Sequence, residues 1–510
     1  MKDKKQEAQG ATLWKQLTNT RTNYIDRARD ASLLTIPQLY PPEGSDEGTA
    51  YPTPYQSLGA KGVNNLANKI ALSLFPPNQA FFKLGLSPAD MQAISRPEGD
   101  VKEAMYILER SIINEMEVSA FRPKVVHLLK QLIVGGSSVI YVPKVGQPEV
   151  FKLESFGIKR DKQGNVLKLV IRQAISWLSL DKDVQDQLED ISESHKNGDK
   201  SLDMYTCVVK QPSGRYKVWQ EIETQIIEGT DGDYLKDDLP YLFVPFVDSG
   251  EDYGRSYIED FIGDLQSYEG LRQSLLEGAA ESARIIYLVK PNATVKINKL
   301  QKARSGDVLA GELSDIGVLQ ADKRMDMQVT KAESDALRQE LAMTFLLNSA
   351  VRRDAERVTA EEIRQVSQEL EVSLGGIYST LAANLQAPLV KIYMNRLVAQ
   401  KKLSPVIKDA AQLEITTGSA ALGRGADFTT LTTFVGTINQ IAQSPIVQSY
   451  VNLEELIKRI AYSLDINTAT LVVSEEQRQQ MQAAAQQASI QAQAAPKIME
   501  QQAKSQLEQE

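Results

Sequence analysis

The sequence runs to 510 residues, 42% hydrophobic and 24% charged, enough to bury a core and to fill two to four domains. Cys207 is the single cysteine and His127 and His195 are the two histidines, which excludes an internal disulfide, leaves little for zinc, and points to a reducing compartment. A net charge of −9 and a pI near 5.2 exclude a global basic field, so tight wrapping of nucleic acid is not expected, whereas a surface past which DNA slides is compatible, because affinity grows with each phosphate a cation neutralises.

Residues 1–10 are polar and no apolar core follows them, and no stretch approaches about eighteen uninterrupted apolar residues, so neither a signal peptide nor a membrane span is expected. Leu13, Leu17, Ile25 and Ala28, mixed with Arg21, Arg27 and Arg29, predict one amphipathic helix over 12–33, ending before Pro37. A loop rich in Pro, Gly and Tyr follows to Tyr55. Val63, Leu66, Ile70 and Leu74 predict a helix that stops at Pro76-Pro77, and Phe81-Phe82-Lys83-Leu84 a short strand. Another helix begins near Asp100 and uses Met105, Leu108 and Ile112. The apolar run 127–142 is broken by Lys130, Gln131 and Gly135-Gly136-Ser137-Ser138, and reads as a helix followed by a buried strand.

Strands are predicted at 166–175, 204–210, 215–221 and 241–247, with Pro212-Ser213-Gly214 as a hairpin turn. The acidic stretches 181–200 and 228–238 read as exposed excursions. From Ser256 a helix carrying Ile258, Phe261, Ile262, Leu265, Leu275, Leu276 and Ala279 is predicted to run to about Ala283. An insert of short strands and glycine turns follows, from Ile285-Ile286-Tyr287-Leu288-Val289 through Gly306-Asp307-Val308-Leu309 to Gly317-Val318-Leu319. Thr330 with Glu333 offers a capping box for a helix striped by Leu337, Leu341 and Phe345.

After a charged break at 348–358, a second box, Thr359 with Glu362, opens the most regular helix, striped by Ile363, Val366, Leu370, Leu374, Ile377, Leu381 and Leu385. Gly375-Gly376 in its middle predicts a kink, and Pro388 an end or a second bend. Shorter helices are expected after Leu403. The glutamine- and alanine-rich tail 474–510 cannot bury a core of its own, and is either disordered or a helix that forms against neighbouring copies.

Enzyme signatures are missing, so no catalytic residue, cofactor or metal is expected. Gly59-Ala60-Lys61-Gly62 is followed by Val63-Asn64, without the Lys-Ser or Lys-Thr of a P-loop, and G-x-S-x-G does not occur. Asp181, Asp183 and Asp186, and Asp231, Asp233, Asp237 and Asp238, cluster enough for a hard cation, but Gln185 and Asp186 break the calcium-loop pattern and solvated loops are the expectation. His127 reads as a hydrogen-bonded structural histidine and Cys207 as packing. Arg352, Arg353 and Arg357 sit in the charged break, which reads either as a solvated loop or as a loop pointing at a polyanion.

Three stretches carry a resemblance: Gly62-Val63-Asn64-Asn65-Leu66-Ala67-Asn68-Lys69 running into Leu74-Phe75-Pro76-Pro77 and Phe81-Phe82-Lys83-Leu84; Asp252-Tyr253-Gly254-Arg255-Ser256; and Glu356-Arg357-Val358-Thr359-Ala360-Glu361-Glu362-Ile363. In this order and spacing the chain resembles the portal, or head-to-tail connector, family of short-tailed bacteriophages over nearly its whole length. The resemblance implies a mainly α fold with α+β parts, assembled as a ring of twelve copies. Its parts would be a wing (1–255), a stem helix (256–283), a small α/β clip (284–329), a second stem helix (330–347), a tunnel loop (348–358), a long kinked helix (359–395), a crown (396–473) and a tail or helical barrel (474–510).

It further implies a non-enzymatic conduit for double-stranded DNA at the portal vertex of the virion, assembled in the host cytoplasm. The partners it implies are major capsid and scaffolding proteins, terminase, a tail adaptor and internal core proteins, with no membrane. On this reading Arg352, Arg353 and Arg357 touch the duplex. Glu259, Asp260, Asp264, Glu269, Glu277 and Glu281 make the first stem helix acidic, and like charge on a tunnel wall discourages phosphates from adhering. Two other readings stay open on the residues alone: a ring-shaped adaptor or scaffold that never meets DNA, and a metal-dependent hydrolase built on Asp231 and Asp233.

Overall fold

The structure is a computed structural model that describes residues 8–45, 48–77, 81–86, 98–188, 191–282, 286–294, 296–319, 324–347, 360–405, 408, 411–415, 433–434 and 436–437. By its contacts the chain divides into one unit of residues 1–93 and 105–417 and another of 94–104 and 418–510. The first unit is a mixture of helices and antiparallel sheets, as the sequence leads one to expect at that level.

Two short helices open it, α1 (Gly10–Thr18) and α2 (Thr22–Leu33), where the periodicity predicts one. Asn19 and Thr20, poor helix formers that compete for backbone hydrogen bonds, fall at the break, and the two helices serve different cores. Leu13 and Leu17 of α1 pack with Val170, Tyr205, Cys207 and Trp219, while Ile25, Ala28 and Ala31 of α2 join the main core. The carboxylate of Glu221, 1% exposed, accepts the backbone N–H groups of Gln9 and Gly10 at 2.9 and 2.6 Å. It thereby satisfies free amides at the positive end of α1.

Helices α3 (Leu58–Leu74), α4 (Glu98–Val118) and α5 (Phe121–Gly135) follow, with strand β1 (Phe82–Leu86) after α3. Gly136, at φ 76°, ends α5 in the left-handed conformation glycine accepts at a helix C-terminus, and β2 (Ser137–Tyr141) starts at the next residue. His127 lies on the exposed side of α5, not as the hydrogen-bonded structural residue expected.

Strands β2, β3 (Glu149–Phe151) and β10 (Tyr241–Pro245) form one antiparallel sheet in the order β10-β2-β3. The six-stranded sheet is built from β4 (Phe156–Arg160), β5 (Val166–Ile175), β6 (Leu202–Lys210), β7 (Tyr216–Ile222), β8 (Gln225–Ile226) and β9 (Gly232–Tyr234). Successive strands β4 to β8 pair in order and β9 also pairs with β7. Register explains its two faces: Val170, Cys207 and Trp219 are cross-strand partners under α1, and Leu169, Val208 and Val218 are partners facing the main core. The turn Pro212-Ser213-Gly214 joins β6 to β7, with Gly214 at φ 83°.

Both acidic excursions are more structured than their charge predicts. Residues 177–200 hold two single-turn helices, Lys182–Gln185 and Glu193–Lys196, and Leu188 packs with Leu202, Ile222 and Ile227 in a small core of its own. In 228–238, β9 adds to the sheet through Tyr234, which pairs with Tyr216.

Helix α6 (Ile262–Ser282) is entered through a 3-10 turn, Ile258–Phe261. It runs antiparallel to α8 (Arg324–Thr344): Tyr257 donates to the Thr344 carbonyl at 3.0 Å at one end, and Gly278 and Ser282 meet Met327 at the other. Between them lie β11 (Ile286–Val289), α7 (Ile297–Lys302) and β12 (Ile316–Leu319), the strands paired antiparallel. Within the insert, residues 306–309 are a turn and irregular chain, and α7 was not anticipated. Helix α8 starts six residues before Thr330, whose hydroxyl donates to the Asp326 carbonyl at 2.8 Å in mid-helix, so the expected capping box does not form.

The last helices are α9 (Ala360–Leu374), α10 (Gly376–Leu381) and α11 (Ala387–Ala399), with a π-helical turn, Ala382–Gln386, between the last two. Pro388, which lacks the amide and crowds the preceding turn, lies two residues past the end of that wider turn, and the helix passes through it instead of ending. Val366, Leu370, Leu374, Leu381 and Leu385 are all 5% exposed or less, so the apolar stripe stays continuous across the breaks. Strand β13 (Ala411–Ile415), which the sequence did not announce, pairs with β1. The tail 474–510, Thr359, and most of the expected crown lie outside the described residues.

Candidate functional site

Arg352, Arg353 and Arg357 lie outside the described residues, so the structure defines the flanks of their segment. On the N-terminal side α8 ends in a tight turn in which Leu346 takes φ 54° and Leu347 N–H reaches the Ala342 carbonyl at 2.8 Å. Leucine in the left-handed region costs about 1–2 kcal/mol. Side chains of α3 grip this turn: Asn65 Nδ2 donates to the Phe345 and Leu346 carbonyls at 3.0 and 2.9 Å, and Lys69 Nζ to the Leu346 carbonyl at 2.8 Å. Lys69 is 3% exposed and also pairs with Glu369 of α9 at 3.0 Å. Gly62 lies one turn before Asn65, and a Cβ there would fall 2.4 Å from Cγ of the fully buried Phe345 ring. Thus the Gly62 to Lys69 stretch touches the elements on both sides of 348–359.

The second stretch fixes the root of α6. Asp252 accepts Arg160 N–H at 2.9 Å and Lys159 Nζ at 2.8 Å, and the hydroxyl of the fully buried Tyr253 accepts Ile158 N–H at 3.3 Å. Gly254 donates to Ser137 Oγ at 2.8 Å, and a Cβ on it would stand 2.7 Å from the Gly136 carbonyl, so only glycine lets these two backbones meet. Ser256 and Glu259 form a capping box that was not expected from the sequence: Glu259 N–H donates to Ser256 Oγ at 3.1 Å and Ser256 N–H to Glu259 Oε1 at 3.3 Å. Its signal, Ser-x-x-Glu, is present in the chain.

The six acids singled out between Glu259 and Glu281 divide. Glu259, its side chain 12% exposed, pairs with Arg27 at 3.1 Å and Arg255 at 3.5 Å, and Asp260 pairs with Arg255 at 3.0 Å. Glu269 accepts the backbone N–H groups of Tyr55 and Gln56 at 2.7 and 3.1 Å, tying down the 50–56 loop. Asp264, Glu277 and Glu281 are exposed. Gly375 stands between α9 and α10 at φ 49°, ψ −120°, and Gly376 opens α10.

Comparison with known proteins decides the family. Residues 7–472 match the family model for the bacteriophage head to tail connecting protein. The chain belongs to that family. It is 38% identical over 482 residues to the portal protein of Escherichia phage T7, covering 92% of this chain and 89% of that one. It is 39% identical to the portal protein of Enterobacteria phage T3, at 92% and 90% coverage. The portal protein of Enterobacteria phage SP6 matches at 29%, with 83% and 81% covered. The role is that of a portal, or head-to-tail connector, protein, a structural component for which no catalytic activity is indicated.

Three aspartates of the 228–238 stretch are paired with cations. Asp233 pairs with Arg215 at 2.7 Å, Asp237 with Lys391 at 2.8 Å and Asp238 with Lys408 at 2.8 Å. Among the described residues no group of three or more His, Cys, Asp or Glu is placed to hold a metal ion. Cys207 is fully buried, and burial pushes its thiol far up from the ordinary range, with Glu221 adding to it. No described helix is long and apolar enough to cross a membrane.

Proposed function

We propose that the chain assembles as a closed ring of twelve copies at one vertex of the phage head, where the ring conducts double-stranded DNA during packaging and ejection. It docks the packaging terminase first and tail proteins afterwards, and meets the capsid and scaffolding proteins around its rim and internal core proteins inside the head. Helices α6 and α8 are its stem, the β11–β12 insert its clip, the 348–358 segment its tunnel loop, residues 359–395, from α9 into α11, the long kinked helix, residues 1–255 its wing, 396–473 the crown and 474–510 a barrel.

The observation that carries assembly is the stem. α6 is a rod of about 32 Å, yet within its own chain it buries only Leu265 and Tyr268 among the described residues. Leu276 is 48% exposed, and Val329 and Met343 of α8 are 72% and 63% exposed. A helix of that length draws its stability from tertiary packing, and in a closed ring the neighbouring stems supply it.

Charge supports the conduit. Twelve copies at −9 each carry −108. On the stem the exposed acids Asp264, Glu277 and Glu281 leave a wall that phosphates do not adhere to, so that sparse arginines meet the duplex without trapping it. The test replaces Arg352, Arg353 and Arg357 together by alanine in particles and measures the packaged DNA retained. Loss of retention with normal ring incorporation supports the assignment, and normal packaging and retention rejects it.

A further inference from the structure

The grip of α3 on the end of α8 is polar as well as apolar. Phe345 and Leu346 are buried at 0% and 8% exposure, so the carbonyls at this helix end need donors from outside the helix. Three side-chain donor contacts converge on two consecutive carbonyls at the turn where Leu346 takes positive φ, between α8 and the arginine-bearing segment. The same Lys69 ammonium holds a carboxylate of α9, the first helix after residues 348–359.

We propose that Gly62, Asn65 and Lys69 form a clasp whose task is to fix the geometry from which the arginine-bearing segment departs and to which it returns, making them positioning residues for DNA passage. This rests on the reading that Arg352, Arg353 and Arg357 meet the duplex. Each member has a distinct part. Gly62 lets the Phe345 ring lie against the α3 backbone, Asn65 holds both carbonyls of the strained turn, and Lys69 bridges that turn to Glu369, so that α8 and α9 share one anchor. A carbonyl satisfied by a fixed donor holds its peptide plane, and at the end of α8 two consecutive planes are held this way.

The test uses full-length chains assembled into rings and particles. Asn65→Ala removes two contacts at a part-buried site and leaves Lys69 in place. Amide exchange at Leu346 and Leu347 is expected to become about tenfold faster, which corresponds to about 1.4 kcal/mol. DNA retention is expected to fall as in the triple arginine variant, and the variant combining both changes is expected to be no worse than the triple, the signature of residues acting through one another. Unchanged exchange overturns the clasp. Faster exchange with normal retention overturns its positioning role.

If the triple arginine variant itself retains DNA normally, the DNA-contact reading fails and the positioning role fails with it, whereas faster exchange in Asn65→Ala would still mark the clasp. Should Asn65→Ala yield no rings, Glu369→Gln, at a side chain 29% exposed, perturbs the same clasp more gently. Exchange about threefold faster at Leu346 together with reduced retention is then expected, and no change in either overturns the proposal.

Discussion

Replacing Gly375 by alanine puts a side chain where the backbone, at φ 49° and ψ −120°, takes a conformation that residues with a Cβ rarely adopt. Nothing lies within 4 Å of the new Cβ, so the cost is conformational and not a clash. Holding alanine in a sparsely populated region costs about 1–3 kcal/mol. The alternative is to straighten the helix through 375 and recover up to about 1 kcal/mol of helix propensity, but Leu370 and Leu374 before the break and Tyr378, Leu381 and Leu385 after it are all 5% exposed or less. Turning even one such leucine out of the core loses about 1.5–3 kcal/mol. Strain is therefore the cheaper outcome, and G375A is expected to lower stability by about 1–3 kcal/mol per subunit, read from urea unfolding at fixed protein concentration. Gly376, one residue on and at ordinary φ, is the control: its Cβ also meets nothing within 4 Å, and G376A is expected to be neutral or stabilising by up to about 1 kcal/mol. A G375A protein as stable as G376A would show that the break is not enforced by the backbone, and would refute the reasoning.

Glu115 and Arg396, 7% and 6% exposed, pair at 2.8 Å in a cluster with Lys402 and Gln400. Burial pushes the Glu115 carboxyl up, but hydrogen bonds from Gln400, Lys402 and Arg396 outweigh it and hold it below the ordinary value of 4.5. Its contribution is thus full above that value and lost as pH falls through the lower folded-state pKa. E115Q is expected to lose about 1.5–3 kcal/mol at pH 7 and to show a shallower loss of stability under acid, which unfolding curves between about pH 7 and 3 would check. S256A removes the hydroxyl that caps the turn leading into α6 and is expected to cost about 0.5–2 kcal/mol; exchange at Glu259 N–H should rise while that of β6 stays unchanged.

Much of this architecture was legible because its signals are local. The strand at 166–175 is written in a short run of apolar and β-branched residues, the hairpin in Pro212-Ser213-Gly214, and the stripe from Val366 to Leu385 in three- and four-residue steps. The elements that differ from expectation depend on partners distant in sequence. The break between α1 and α2 follows from their packing on different cores, and β13 becomes a strand by pairing with β1, about 330 residues earlier in the chain. Thr330 matches the capping pattern, yet Arg324 to Val329 continue the helix upstream and the hydroxyl turns back to Asp326; Ser256 matches it too and does cap. Among the candidate site residues, charge alone could not separate Glu259 and Glu269, which bind Arg27 and the Tyr55 and Gln56 amides, from Asp264, Glu277 and Glu281, which stay exposed. The grip of Asn65 and Lys69 on a turn some 280 residues away was out of reach of any pattern in sequence.

Electron microscopy of the purified full-length protein tests the conduit most directly. Rings of a single closed symmetry, twelvefold, are expected, with the α6 and α8 stems packed side by side around a central hole wide enough for a DNA duplex. A chain that stays monomeric at high concentration, its stem helices still exposed to solvent, would contradict the ring and the conduit together.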